Sequence, residues 1–316
     1  MKYLLLKRLI MLVPTAIFVA LISFSIIYFS PGDTAQLILR DKNPIGLPDD
    51  ALVEEYERIL GLDKPFPQLF SQWLKGAAVG DFGNSFKTGL PVTQEFRHRF
   101  LYTVKLVFLA TCVYIFLGLL LGTLSAIYKD SIIDQFVRGF AAFNLSVPSF
   151  WLALFFLWLF SMKLKIFPAY GYQGFISLIL PGFVMGLGRS STLARLTRTC
   201  ILEALDSPYV ATARGIGLSE TAILIKHVLK NILLPIVTLI GMNSISLLGG
   251  SVIIENIFGL PGVGSYLVQA INLKDFPIIS GFIFIFGIII VLINLLVDFS
   301  YVIIDPRVRY DENAYK

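Results

Sequence analysis

The sequence predicts an all-α, polytopic membrane protein with six transmembrane helices. Of its 316 residues, 56% are hydrophobic and only 15% are charged, which is more apolar surface than a soluble domain buries. The apolar residues form runs of about 18 residues or more, the length that a helix needs to cross a bilayer. Lys and Arg cluster at the ends of these runs, so the formal net charge of +5 does not indicate a nucleic-acid partner.

Six apolar runs define the predicted spans. They are Leu9–Phe29, Val104–Tyr128, Phe140–Met162, Ile176–Leu193, Ile232–Ile254 and Ile278–Ile304. Pro14 and Pro148 are expected as kinks inside the first and third spans, because neighbouring groups can satisfy the freed carbonyls. Gly118 and Gly122 form a small-xxx-small pair that permits close helix approach. The first run is too long for the apolar core of a signal peptide, which favours an uncleaved helix.

Residues 30–103 are predicted to form one long extracytoplasmic segment after the first span. The segment is polar, punctuated by proline and mixed in charge, and a helix is predicted over Asp49–Leu60. The count of Lys and Arg in the short loops favours a cytoplasmic location for both termini. In that count, Arg189, Arg195 and Arg198 mark the cytoplasmic end of the fourth span.

The stretch Glu203–Pro235, between the fourth and fifth spans, is amphipathic rather than uniformly apolar. Ser207 is expected to cap a short helix that begins with Pro208, because proline fits the first turn of a helix. Gly215 and Gly217 supply the backbone freedom that ends this helix. Ser219 is expected to cap the following helix, whose apolar residues recur at helical spacing. The same count of basic residues places this stretch in the cytoplasm.

Tyr209–Pro235 resembles the EAA loop of ABC importer permeases, in the form found in the dipeptide, oligopeptide and nickel uptake family. Ala211-Thr212-Ala213 stands where the general motif has Glu-Ala-Ala, and the closing proline comes late, at Pro235. Both departures match the peptide and nickel branch. The resemblance covers nearly the whole chain, because four further stretches follow the family pattern in order: Gly61–Pro65, Gly80–Ser85, Glu255–Gly264 and Asp305–Arg309.

The resemblance implies a single membrane domain over residues 1–316, located in a bacterial or archaeal plasma membrane, with residues 203–231 as its coupling region. In that family the loop forms a helix that docks into a cleft on a separate ATPase subunit. The residues expected to make this contact are Tyr209, Ala211, Ala213, Arg214, Gly215 and Gly217. Arg214 would pair with an acidic ATPase residue, or alternatively with lipid headgroups.

The same resemblance implies four kinds of partner. They are a second homologous permease subunit, two ATPase subunits that hold ATP and Mg²⁺, an extracytoplasmic substrate-binding protein and membrane lipid. Residues 30–103 would help to dock the binding protein, or alternatively serve packing alone.

Polar or small residues inside the spans are the candidates for the translocation path, because polar groups in hydrocarbon are costly unless they face a cavity or a partner. They are Asn144, Ser146, Asn243, Ser246 and Gly250. The alternative for each is interhelical hydrogen bonding and close packing. Glu255, with Pro261 and Gly262, is assigned to a gate or to the binding-protein interface, or alternatively Glu255 is an interfacial carboxylate in water. Asp298 is expected to be structural.

No motif for bond-making chemistry is visible, and the two cysteines and two histidines form no metal-binding pattern. ATP hydrolysis is therefore expected on partner subunits, with no cofactor on this chain. The predicted function is that of a permease subunit of an importer for di- and oligopeptides. The alternatives are the same family importing nickel or a metal chelate, and, in another class, a self-sufficient channel or ion-coupled carrier.

Overall fold

A computed structural model describes residues 2–29, 32–42 and 48–304, with side chains described for 13–26, 28–29, 32–42 and 48–297. The helices, in chain order, are α1 (Lys2–Tyr28), α2 (Thr34–Lys42), α3 (Asp50–Leu60), α4 (Phe66–Ala78), α5 (Val92–Ile127), α6 (Ile132–Ser146), α7 (Ser149–Phe156), α8 (Ile176–Leu205), α9 (Pro208–Gly215), α10 (Glu220–Ile223), α11 (Leu229–Asn231), α12 (Leu233–Phe258), α13 (Val263–Leu273) and α14 (Phe276–Ile304). π-helical turns follow α7 over Leu157–Lys163 and α10 over Leu224–Val228. The described ranges hold no β-strand, and the predicted all-α class is confirmed. The predicted terminal stretch Asp305–Arg309 lies outside these ranges.

Four of the described helices are long and apolar enough to cross a membrane: α5, α8, α12 and α14. The bent pair of α6 with α7 and its π-helical turn makes a fifth if it counts as one span. Helix α1 adds a shorter apolar stretch, Val13–Ile26. The chain is thus a multi-pass protein, and the predicted number of six spans requires that both α1 and the bent pair cross.

Two predicted spans are too short. Helix α5 begins at Val92 rather than Val104, and α8 continues to Leu205 rather than ending at Leu193. Both extensions contain charged side chains, which lower the hydropathy from which the spans are predicted. In α5, Glu95 and Arg99 lie one turn apart and form an ion pair of 3.0 Å. Pairs at this spacing stabilise a helix even where its hydropathy is low.

The predicted third span, Phe140–Met162, is wrong as a single helix. Helix α6 ends at Ser146, Val147 is extended, and the chain turns by 102° before α7 begins after Pro148. The residue before a proline is pushed out of the helical region, and the proline ring lacks the N–H that would continue the helix. Pro148 therefore separates two helices, instead of kinking one.

The contacts of the chain divide it into two compact units. The first comprises the described residues up to Tyr102 together with Pro261–Leu292. Its centre includes the buried Phe24 of α1, which makes ring contacts with Phe66, Phe70, Trp73 and Phe276. The second unit comprises Thr103–Leu260 and the described residues from Ile293 onward.

Within the first unit, the predicted run Gly80–Ser85 is anchored by a buried carboxylate. Asp275 accepts hydrogen bonds from Ser85 Oγ at 2.5 Å, from the Phe86 amide at 3.1 Å and from the Lys87 amide at 3.2 Å. Burial raises the pKa of Asp275. Three donors on one carboxylate hold this loop in a fixed position.

Within the second unit, α5 and α8 approach closely through glycines. A Cβ at Gly122 would lie 2.6 Å from the Ala194 carbonyl oxygen, and one at Gly118 would lie 2.7 Å from Leu193 Cβ. Gly186 of α8 meets the Ala110 carbonyl oxygen of α5 in the same way, at 2.6 Å. The close approach expected from Gly118 and Gly122 is therefore present, and it holds α8 against α5.

Candidate functional site

Helix α9 is a short amphipathic helix that follows α8 after two residues. Val210 and Ala213 are buried, whereas Tyr209, Ala211 and Arg214 are exposed. The first turn uses Pro208 as predicted, since its missing N–H would have no partner there. Of the six residues predicted for the motor contact, Ala213 thus packs inward and the others are exposed.

The ends of α9 differ from the prediction in two details. The Ser207 hydroxyl does not cap α9 but donates to the Ala204 carbonyl, because α8 ends nearby and its last carbonyls lack partners. Gly215 is the last helical residue, and Gly217 alone takes the left-handed conformation, with φ of 85°. The Leu218 amide then bonds to the Ala213 carbonyl, which closes a Schellman turn.

Arg214 has a partner within the chain. Its Nε lies 2.6 Å from Glu220 Oε1 and its Nη2 lies 3.0 Å from Glu220 Oε2, a bidentate pair that joins α9 to the first turn of α10. Hydrogen bonding to the guanidinium lowers the pKa of Glu220 and raises that of Arg214. Both side chains are exposed and border a groove of about 480 Å³ that Lys129 and Asp206 also line. Ser219 caps α10 through the Ala222 amide, as predicted.

A buried ion pair joins the first turn of α6 to α8 within the second unit and was not predicted. Asp134 of α6 is 0% exposed, and both of its oxygens accept 2.8 Å hydrogen bonds from Arg198 of α8. Ser125 Oγ and the Asp130 amide supply two further donors, at 2.5 Å and 3.0 Å. The carboxylate is therefore fully paired. From sequence alone, a charged residue near an apolar run looks the same whether it forms a buried ion pair or lies in water at the end of a helix.

A cavity of about 200 Å³ lies among α6, α7, α8 and α12. Three of the predicted path residues border it: Asn144, Ser246 and Gly250. The bend at Pro148 lets Val147 and Ser149 contribute to its wall.

Arg189 of α8 also borders the cavity, and its Nη2 donates to Ser246 Oγ at 2.6 Å. The sequence placed Arg189 at the end of the fourth span. Helix α8 continues for 16 residues beyond it, so Arg189 does not lie at the end of the helix. The sequence predicts a longer fourth helix only if charged residues such as Arg198 are known to have buried partners.

The other two predicted path residues do not border this cavity. Ser146 is exposed and donates to the Ala142 carbonyl at 2.9 Å. Asn243 is buried, with its amide 3.4 Å from the Tyr114 hydroxyl. Asn144 itself uses its amide to bind the Leu187 carbonyl and Ser191 Oγ, at 2.6 Å and 2.8 Å. Interhelical bonding, the alternative given for these residues, thus accounts for the contacts of Asn144 and Asn243.

Glu255 is buried rather than solvated. It is 1% exposed and accepts a 2.7 Å hydrogen bond from Thr103 Oγ1, so the alternative of an interfacial carboxylate in water is wrong. Helix α12 ends at Gly259, whose φ is 63° and where a Cβ would lie 2.3 Å from the Tyr170 ring. Only glycine fits this position, because both the backbone conformation and the neighbouring ring exclude a side chain.

Pro261 and Gly262, the other predicted gate residues, belong to the first unit. Gly262 is the N-cap residue of α13, where its carbonyl accepts hydrogen bonds from Ser265 Oγ and the Tyr266 amide. Pro261 is partly exposed. Among the residues that the structure describes, no group of three or more His, Cys, Asp or Glu side chains could hold a metal ion.

Comparison with known proteins identifies related chains over nearly the full length. The family model described as "Binding-protein-dependent transport system inner membrane component" matches residues 118–310. A Brucella abortus protein whose name describes a peptide transport system permease is 41% identical, covering 98% of this chain and 100% of the relative. A glutathione transport system permease of Pectobacterium atrosepticum is 35% identical, and a dipeptide transport system permease of Alkalihalophilus pseudofirmus is 33% identical, each covering 96% of this chain and 98% of the relative.

Solved structures agree on the fold. A chain of the methionine ABC transporter MetNI in an inward-facing conformation matches with a TM-score of 0.57 at 17% identity, covering 67% of this chain and 97% of that chain. A chain of an amino acid ABC transporter crystallised with histidines matches with a TM-score of 0.53 at 18% identity, covering 66% of this chain and 93% of that chain. At these identities the likeness concerns the fold alone.

The family match covers more than half of the chain, and the relatives exceed 30% identity over almost all of it. The resemblance that Tyr209–Pro235 predicted is therefore confirmed. The chain belongs to the family of binding-protein-dependent transport system inner membrane components, the permeases of ABC importers.

Proposed function

We propose that this chain is one permease subunit of an ATP-driven importer of di- and oligopeptides. It forms half of the translocation path, and a second, homologous permease forms the other half. Relatives named for peptide, dipeptide and glutathione transport support a peptide substrate, since these three share one chemical class. Asn144, Ser246 and Gly250 around the α8 cavity are the path residues that this proposal retains.

The observation that carries the proposal is the construction of α9. Val210 and Ala213 fix the helix to the second unit, while Tyr209, Ala211 and Arg214 remain exposed. A short helix whose exposed residues include the small Ala211 and Gly215 fits a cleft on another protein. In the proposed importer two ATPase subunits bind ATP and Mg²⁺ and one of them grips α9, with both termini of this chain in the cytoplasm.

Transport then follows from movement of α9. Closure of the ATPases on ATP pushes this helix, and α8, which ends only two residues before it, moves with it. The permease switches between states that open to opposite sides of the membrane. An extracytoplasmic binding protein delivers the peptide to the outward-open state.

Substitution on the exposed face of α9 tests the coupling. Ala211→Trp adds bulk where the cleft must fit, and is expected to reduce both co-purification of the ATPases and peptide uptake in cells. Gln135→Trp, at an exposed position on α6 outside the coupling region, is the control and should leave both unchanged. Normal uptake with Ala211→Trp, and also with α9 replaced by a Gly-Ser linker, would contradict the proposal.

The substrate class is tested with the reconstituted importer. Labelled dipeptides and tripeptides are expected to accumulate in proteoliposomes in an ATP-dependent manner when the binding protein is present. Uptake of nickel or a metal chelate without uptake of peptide would assign the chain to the alternative substrate. Transport by the chain alone, driven by an ion gradient, would assign it to the carrier class.

A further inference from the structure

We propose that Arg189 binds the terminal carboxylate of the transported peptide in the cavity among α6, α7, α8 and α12. This inference rests on the proposed function as a peptide permease and assigns a substrate contact within it. Arg189 was not among the path residues that the sequence predicted.

The position of Arg189 along α8 places it inside the membrane. The helix Ile176–Leu205 has 30 residues, and about 20 are needed to cross the hydrocarbon core. Every segment of that length within α8 includes Arg189. An arginine at this depth is costly unless it faces a cavity or pairs with another group.

The pairing of Arg189 is incomplete. Its hydrogen bond is to the neutral hydroxyl of Ser246, and within the described part of the chain no carboxylate forms an ion pair with it. A guanidinium carries five N–H donors in a planar fork that matches a carboxylate. The remaining donors and the whole positive charge are therefore available to a ligand.

The surroundings of Arg189 leave room for that ligand. At Gly188 and Gly250, which border the same cavity, an added Cβ would meet no heavy atom within 4 Å. Thr192 and Ser149 offer hydroxyls for peptide amides, and Leu152 and Met185 offer apolar surface for a side chain. One fixed cation with adaptable polar and apolar neighbours suits a group of ligands that share only a carboxylate.

A terminal carboxylate supplies the negatively charged hydrogen-bond acceptor that Arg189 lacks within the described part of the chain. It accepts two parallel hydrogen bonds from the guanidinium and neutralises its charge, and such charge-assisted bonds are about twice as strong as neutral ones. A C-terminal amide has the same shape but no charge. Arg189 should therefore favour a peptide acid over the matching peptide amide.

The test uses the complete importer with its binding protein in proteoliposomes. Initial uptake is measured for one tripeptide as the free acid and as the C-terminal amide, in the parent complex and in complexes with Arg189→Gln or Arg189→Lys. Any preference of the binding protein cancels when the acid-to-amide ratios of two complexes are compared. The ratio is expected to fall about tenfold or more in Arg189→Gln. Arg189→Lys keeps the charge but not the planar donors of the guanidinium, so it should retain part of the preference for the free acid.

The matched control is Arg195→Gln, which removes an exposed arginine from the same helix and should leave the ratio unchanged. An unchanged ratio in Arg189→Gln, or an equal loss of uptake for acid and amide, would overturn the proposal. Loss of the assembled complex in both Arg189 variants would assign the residue to packing and likewise overturn it.

Failure of the proposed function has a different signature. A parent complex that takes up neither peptide overturns the peptide-permease function, and the role of Arg189 falls with it. A parent complex that takes up both peptides while Arg189→Gln keeps the parental ratio overturns the role of Arg189 alone.

Discussion

Arg198 and Arg189 lie on the same helix in opposite electrostatic settings. Nine residues separate them, which places them about 14 Å apart along α8 and on opposite faces. Arg198 forms a bidentate pair with Asp134, a carboxylate that is 0% exposed and has two further donors. Arg189 meets only the hydroxyl of Ser246, beside a cavity. On the face of α8 that carries Arg198, the charge is fully paired. On the face that carries Arg189, a cavity lies beside the charge.

The packing of α8 follows the same division. Its contacts with α5 are so close that a Cβ at Gly122 would lie 2.6 Å from the Ala194 carbonyl oxygen. At Gly188 and at Gly250, which border the cavity, the space around an added Cβ is empty. In the proposed importer, the closely packed side of α8 would transmit movement and the open side would admit substrate.

Loss of Asp134 is expected to have the largest effect. Asp134→Ala leaves Arg198 without its buried partner, and breaking such a pair costs about 3–5 kcal/mol. Thermal unfolding of the solubilised protein should show a large fall in midpoint, or the protein should fail to accumulate in the membrane. Asp130→Asn is the control, since the Asp130 amide that binds Asp134 remains.

The double variant Asp134→Leu with Arg198→Met sharpens this result. Replacing both members of a buried pair by apolar residues is often neutral, so most of the lost stability should return. A double variant as unstable as Asp134→Ala would mean that the cost does not arise from an unpaired buried charge.

The next largest effect is expected at the α5–α8 contact. Gly122→Ala places a Cβ against a backbone oxygen and should cost about 1–3 kcal/mol, because overpacking shifts the two helices apart. Gly139→Ala, at a helical position with open space, should instead stabilise by about 0.5–1 kcal/mol. The opposite signs of the two changes are the observation to seek by thermal unfolding. Stabilisation by both changes would show that helix propensity, not contact, decides stability at Gly122.

Much of the fold was predictable because hydrophobic length alone identifies membrane helices. The cores of the long spans, the helix over Asp49–Leu60 and the short helix beginning at Pro208 all follow from local pattern. The boundaries were less predictable where charges sit inside helices. Neither Glu95 with Arg99 nor Asp134 with Arg198 can be recognised as an ion pair from one sequence, so α5 and α8 were cut short.

Part of the lining of the cavity among α6, α7, α8 and α12 was predictable for the same reason. Asn144, Ser246 and Gly250 were identified by polarity inside apolar runs, and the structure places them around one cavity. Arg189, which borders the same cavity, was not predicted there because a basic residue after an apolar run ordinarily marks a cytoplasmic end. Ser146 and Asn243 do not border the cavity, since polarity does not reveal which face of a helix a residue occupies.

Filling the open face should change transport without changing stability. Gly250→Leu extends into empty space, so the unfolding midpoint should stay near the parental value. A side chain in the cavity competes with the peptide, and a clash of about 1–3 kcal/mol corresponds to a loss of uptake of about 5- to 150-fold. Gly249→Leu, also exposed but outside the cavity, should retain uptake. Equal uptake by both variants would show that the open face does not carry substrate.

The smallest effect on stability is expected at Arg214, which has a carboxylate partner as Arg198 does but is exposed. Water and ions screen an exposed pair, so Glu220→Gln should barely change the unfolding midpoint at neutral pH. Because Arg214 lowers the pKa of Glu220, the contribution of the pair is present above the ordinary glutamate pKa of 4.5 and is lost as the pH falls through the lowered pKa. Parent and variant should therefore become indistinguishable in acid.

Coupling, in contrast, should respond to the same change. The pair joins α9 to α10, so Glu220→Gln should raise the ATP hydrolysed per peptide imported. Glu55→Gln, an exposed change on α3 outside the coupling region, should not. If Glu220→Gln lowered the unfolding midpoint strongly and left coupling intact, the presence of a carboxylate partner, rather than burial, would determine how much an arginine contributes to stability. A coupling defect without a shift would show instead that burial makes Arg198 structural and exposure leaves Arg214 free to act on a partner.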